Sequence, residues 1–268
     1  MGSKSKIDEE SLVDNHYGAI AAKAVKLLPR ELAPSAKAVG EFEAKFGLTW
    51  SSALDAGLVY NAKEACGKLG VDGAGLDKKW SDLKRGVDLV KFGGGFYCGK
   101  IGEIFVINGF YMAMRGKFCA PGASIYYYLV EWPTNALSWA DFRGKVLGAT
   151  NPLEAAAGSL RALVYYEWHE LGLEFEPNTG DNGVHASASP FEACAERCNW
   201  LKATPATDHF GKAMLALGIP EPKIRAWFDD PQVPIDAQGA TASLFDTLED
   251  TNADKCLEKA KFLSDLVA

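Results

Sequence analysis

The chain has 268 residues, 48% of them hydrophobic, which is enough for one large core or two small ones. A formal net charge of -7 argues against non-specific binding to nucleic acid and against attraction to an anionic membrane surface. No apolar run is long enough to span a bilayer, and the six cysteines, spread through the chain, read as reduced thiols of a cytoplasmic protein.

The opening stretch 1–15 is polar and is expected to be flexible. It lacks the apolar core of a signal peptide, and Lys6 stands where a myristoylation signal needs Ser or Thr, so Gly2 is expected to be unmodified. Helices follow. Tyr17, Ile20, Ala24, Leu27 and Leu28 form an apolar stripe ended by Pro29, and Val39, Phe42 and Phe46 form another, begun after Pro34-Ser35 and stopped by Gly47. A third helix is predicted from about Ser52 to Leu69, and a fourth carries Leu76, Trp80 and Leu83. Gly93-Gly94-Gly95 lacks the Gly-Lys-Ser/Thr ending that grips phosphate and magnesium, and reads as a turn.

Beyond Gly102 the pattern changes to strands. Glu103 to Ile107, Asn108-Gly109 and Phe110 to Met114 predict a hairpin, because Asn-Gly tolerates the positive φ of a tight turn. A third strand is predicted from Ile125 to Trp132, dense in aromatic and β-branched residues. Asn151-Pro152 with Glu154 predicts a helix start. His169 lies among aromatics and acids and reads as structural.

The stretch with most chemical content is Asn182-Gly-Val-His185-Ala-Ser187-Ala-Ser189-Pro190-Phe191-Glu192, followed by Glu196. Ser189, Pro190 and Glu192 predict a capping box opening a helix that packs Phe191, Cys194, Ala195, Cys198 and Leu201 on one face. Glu196 is then free to point back toward His185. An imidazole near neutral pKa is a competent nucleophile, and a carboxylate on one ring nitrogen fixes the tautomer. Cys194 and Cys198, four apart, match no common zinc spacing and read as packing residues.

Asn-x-x-His-x-Ser-x-Ser, with a Glu on the next helix and Asn199-Trp200-Leu201 after it, resembles the active-site signature of nucleoside diphosphate kinases. Lys145-Val-Leu-Gly-Ala-Thr150-Asn-Pro152 resembles that family's Leu-Gly-x-Thr-Asn-Pro segment, and Gly158-Ser-Leu-Arg161 resembles its Gly-Thr-Ile-Arg. The likeness covers residues 126 to 201. It implies that His185 accepts the phosphoryl group, that Glu196 and Ser187 orient its ring, that Asn182 binds the sugar end, and that Thr150 and Arg161 hold the phosphates. Magnesium would arrive on the nucleotide phosphates, and the nucleoside tri- and diphosphates would be the substrates. Leu76 to Phe92 resembles the family's nucleotide clamp, with Trp80 as a stacking candidate beside its reading as core.

Departures accompany the likeness. The family's opening Lys-Pro-Asp-Gly is absent, and Arg115 is a candidate replacement for its lysine, with Lys117 and Lys91 as rivals. Lys145 stands where an arginine of the phosphate grip is expected, with Arg143 close by, and lysine lacks the bidentate fork. The connection from Arg161 to Asn182 is longer than in the family. The expected fold is α/β (α+β), a split β-α-β ferredoxin-like sandwich, rearranged in order, with residues 16–229 as the domain and 230–268 as a linker and C-terminal helical extension. The expected function is phosphoryl transfer from a nucleoside triphosphate through phosphohistidine. The alternative is a weak or inactive nucleotide-binding or scaffold protein on the same fold, forming a homo-oligomer or docking a protein partner through its terminal helices.

Overall fold

The computed structural model describes residues 6–32, 34–93, 95–236 and 240–266. Gly2, Gly94 of the three-glycine turn and residues 237–239 of the link before the C-terminal helices lie outside the described residues. The fold is mixed α/β, with 15 α-helices, a four-stranded mixed sheet and a two-stranded hairpin among the described residues. Two units divide the chain, Met1–Tyr127 and Tyr128–Ala268. None of the described helices is long and apolar enough to cross a membrane.

In the first unit, α1 (Lys6–Glu9), α2 (Leu12–His16) and α3 (Gly18–Ala21) come first. Leu12 and Val13 are buried, so the stretch expected to be flexible is helical from Lys6 onward. Next is α4 (Ala36–Phe46), bounded as its sequence predicts: the Ser35 hydroxyl accepts from the Ala38 N–H at 3.3 Å, and Gly47 ends it at φ 65°. Phe42 buries completely from this helix, edge-on to Trp50 and Phe105.

The single helix predicted from Ser52 to Leu69 is instead three elements: α5 (Trp50–Asp55), β1 (Val59–Asn61) and α6 (Ala62–Leu69). Gly57, at φ 65°, reverses the chain after α5. Asn61 then serves as an N-cap, in a reciprocal capping box with Glu64. Next, α7 (Gly73–Ser81) is capped by Asp72 and buries Leu76 and Trp80.

Strands β2 (Leu89–Gly93), β3 (Phe96–Ile101) and β4 (Ile104–Ile107) join β1 in the order β1-β4-β3-β2, with β1 and β4 parallel and the other pairs antiparallel. The tight turn falls at Gly102-Glu103, not at Asn108-Gly109. Asn108, at φ 49°, is fully buried; its amide accepts from the Tyr97 N–H at 2.9 Å and donates to the Gly95 carbonyl at 2.8 Å. It closes the end of the sheet and hands the chain to α8 (Tyr111–Cys119). The predicted strand Phe110 to Met114 is therefore mostly helix, consistent with the helix-forming Met and Ala it contains. The predicted strand Ile125 to Trp132 pairs with no other segment among the described residues, and Tyr126 to Val130 are exposed. One strand, two helices and three strands are the order found, so the β-α-β-β-α-β order is not reproduced.

The second unit is mainly helical: α9 (Trp139–Asp141), α10 (Leu160–Tyr166), α11 (Pro190–Leu201), α12 (His209–Ala216), α13 (Glu221–Trp227), the hairpin β5 (Gln232–Pro234) with β6 (Thr241–Ser243), α14 (Leu244–Leu248) and α15 (Ala253–Leu266). The helix start predicted at Asn151-Pro152 is one short 3-10 turn, and the helix itself begins at Ser159, whose hydroxyl caps it. Residues 249–252 separate α14 from α15. Phe191, Cys194, Met214, Ile224, Leu248 and Leu263 form the core that supports α11.

Candidate active site

His185 stands in the loop 182–189 that feeds α11. The Ser189 hydroxyl accepts from the Glu192 N–H at 3.1 Å, and Pro190 fills the first helical position, where a missing N–H costs nothing. The other half of the predicted capping box takes a different partner: the Glu192 carboxylate accepts from the N–H of Ala188, one residue before the cap. Four residues on, one turn up the same face, Glu196 reaches back. Its Oε1 lies 2.7 Å from His185 Nε2, and its Oε2 accepts from the Ser187 hydroxyl. The imidazole is half exposed, at 49%, while Glu196 orients the ring.

Burial alone would pull the His185 pKa down; the hydrogen bond and charge of Glu196, with the charge of Glu192, outweigh it, so the pKa is raised despite the opposing Arg161. Glu192 is pushed up to about 7 by burial first and by the charge of Glu196 second, against the Ala188 N–H, His185 and Arg143. The charges of His185 and Glu192 thus depend on one another.

Arg161 projects from the first turn of α10 and is buried. Its Nη1 donates to the Gly148 carbonyl at 2.8 Å, and its Nη2 and Nε donate to the Val184 carbonyl at 2.9 and 3.2 Å. No carboxylate among the described residues pairs with it, so its charge is not cancelled locally. Burial, with Arg143 nearby, lowers its pKa. Gly148 sits at φ 99°, and a Cβ there would meet the Ser159 hydroxyl at 2.5 Å, which accounts for glycine at this place. The Asn182 side chain donates to the Thr150 carbonyl at 3.0 Å, tying the two motif segments together.

Six of the residues singled out from sequence therefore converge: His185, Glu196, Ser187, Arg161, Asn182 and Thr150. Lys145 is exposed and pairs with Asp141 at 2.7 Å on its own turn. Arg143 is the more central base, donating to Asp250 at 2.6 Å and Glu249 at 2.8 Å while its charge reaches Arg161 and Glu192. Arg115 and Trp80 belong to the first unit. Arg115 is held by Asp14 at 2.9 Å and Asp8 at 2.5 Å, and the Trp80 ring is buried against Phe110, packed where a Cβ of Gly109 would lie. Both side chains are engaged in that unit's own structure. His169 stacks on Trp168.

Sequence reasoning missed Trp139, whose indole N–H donates to the Ser187 carbonyl at 2.9 Å. A tryptophan 46 residues before His185 carries no local signal of that contact. No family model, curated protein or solved structure matches the chain.

Proposed function

We propose that the second unit carries a nucleoside diphosphate kinase-like phosphotransfer centre in which His185 takes the terminal phosphoryl group of a nucleoside triphosphate and passes it to a diphosphate. The observation that carries the reading is the pair of contacts on Glu196, one from His185 and one from Ser187. With Nε2 held by the carboxylate, the lone pair for attack belongs to the other ring nitrogen. That nitrogen forms the N–P bond, the bond from phosphorus to the bridging oxygen breaks, and the diphosphate leaves with the electron pair. The return step reverses this onto the acceptor. The barrier is lowered by alignment and by positive charge. Arg161, buried with only carbonyls as partners, offers that charge, and the hydrogen bond from Asn182 to the Thr150 carbonyl joins the two segments to which the resemblance assigns nucleotide binding. Magnesium enters with the nucleotide.

The frame differs from the family's. The split β-α-β sandwich would have to be rearranged, because the four-stranded sheet lies in the first unit and the motifs lie in the second. A second reading, a nucleotide-binding protein without turnover, is favoured by the internal pairing of both other bases, Arg143 with Glu249 and Asp250 and Lys145 with Asp141. A reducing compartment suits the six free thiols.

Incubating the protein and a His185→Ala variant with magnesium and terminally labelled ATP separates these. The expected result is acid-labile label on the native protein alone, chased into GTP by added GDP. Nucleotide binding without label would leave the second reading.

A further inference from the structure

The backbone around His185 is fastened at successive positions. Arg161 takes the carbonyl of Val184, the indole N–H of Trp139 takes the carbonyl of Ser187 at 2.9 Å, and the N–H of Asp250 takes the carbonyl of Ala188 at 2.9 Å. The Ala188 N–H goes to Glu192. Trp139 is itself fixed from the C-terminal side: its backbone N–H donates to Asn252 Oδ1 at 2.8 Å, and its ring lies 5.1 Å from that of Trp132. Asp250 has a φ of 56°, in the left-handed region that aspartate tolerates better than most non-glycine residues. Its side chain accepts from Arg143, and its N–H reaches the loop.

Ser187 is where this clamp meets the chemistry. Its carbonyl is on Trp139 and its hydroxyl is on Glu196, whose other oxygen is on His185. Releasing the carbonyl would let Ser187 rotate, loosen its hold on the carboxylate and widen the range of imidazole orientations. We propose that Trp139, backed by the turn Glu249–Asn252, is a positioning residue for His185. Its effect on rate rests on the phosphotransfer reading; its effect on the geometry of the ring does not. A tryptophan suits the place because its ring packs beside Trp132 while its single N–H fixes one carbonyl.

Trp139→Phe keeps an apolar ring and removes that N–H. Trp132→Phe is the matched control, since the Trp132 indole N–H donates to Leu137, away from the loop. Two readouts are taken on the full chain: the single-turnover rate of phosphohistidine formation beside the ATP dissociation constant, and the 15N and 1H resonances and titration of the His185 ring. The expected result is a rate roughly ten-fold lower in Trp139→Phe with ATP affinity changed less than about two-fold, because misplacement of a reacting group costs rate before it costs binding. The His185 ring resonances should shift and broaden in Trp139→Phe alone, with Trp132→Phe matching the native protein in both readouts.

Equal losses in both variants, tracking the folded fraction measured by near-UV circular dichroism, would overturn the proposal. So would an unchanged His185 resonance in Trp139→Phe. If the native protein forms no phosphohistidine while the His185 resonance moves in Trp139→Phe alone, the positioning inference stands and the phosphotransfer reading falls.

Discussion

The charge state of His185 is set by neighbours that pull in opposite directions, and this fixes the pH behaviour of the second unit. His185 has a raised pKa, and Glu192 is pushed up to about 7, so the folded protein holds protons that the unfolded chain has already lost. Stability therefore falls as pH rises wherever the native state binds more protons. For Glu192 that window opens at its ordinary value of 4.5 and closes above about 7; for His185 it opens at 6.5 and closes above its raised folded value. Both act in the same direction. Urea unfolding of native protein and Glu192→Gln from pH 5 to pH 8 should show a decline in the native protein and a flatter curve in the variant. The difference between the curves should grow by on the order of 2 kcal/mol. A native curve that rises over this range would contradict the assignment. On the phosphotransfer proposal, catalysis should run the other way, since only a neutral imidazole has a lone pair with which to attack. Phosphohistidine formation is expected to rise with pH through the raised His185 value, and Glu196→Gln should move that limb to lower pH in a single-turnover pH profile while lowering the plateau.

At the scale of elements, the site depends on where two helices begin. Ser159 opens α10 and points Arg161 at Gly148 and Val184; Ser189 opens α11 and sets Glu192 and Glu196 one turn apart. Ser189→Ala removes the hydroxyl that accepts from Glu192 N–H, and should cost about 1 kcal/mol in urea unfolding. Gly148→Ala should cost more, roughly 1 to 3 kcal/mol, because it adds a positive-φ penalty to a close approach on Ser159. A neutral Gly148→Ala would mean that the turn relaxes without the glycine.

The caps and the six converging residues were legible because each is a local pattern or a motif of fixed order. The rest was hidden for physical reasons. Asn108-Gly109 has hairpin chemistry, but a buried amide that satisfies Tyr97 and Gly95 uses the same positive φ to end a sheet. The apolar stripe from Ser52 to Leu69 suits a helix, yet Val59 and Tyr60 gain more by pairing with Phe105 and Val106 of β4. Trp139 and Asn252 meet across 113 residues, and no window of sequence contains both.

On the scale of the whole molecule, the division falls between Tyr127 and Tyr128. Tyr126, Tyr127, Tyr128, Leu129 and Val130 are all exposed, with no ladder hydrogen bonds to protect their backbone among the described residues. A protease needs an exposed, locally extended segment, and aromatic side chains are what chymotrypsin selects. Brief digestion of the native protein should therefore cut first within 126–130, giving two fragments near the division. All six converging residues lie on the C-terminal side of that cut, as do Trp139, Asp250 and Asn252. The N-terminal fragment keeps Trp80 and Arg115, both engaged in its own core and ion pairs. Nicked protein incubated with labelled ATP and then separated under denaturing, non-acidic conditions should carry its label on the C-terminal fragment only. Retained labelling in the nicked protein would mean that the phosphoryl-accepting centre is built within residues 128–268. Abolition of labelling by the single cut, with both fragments still folded by circular dichroism, would overturn that assignment.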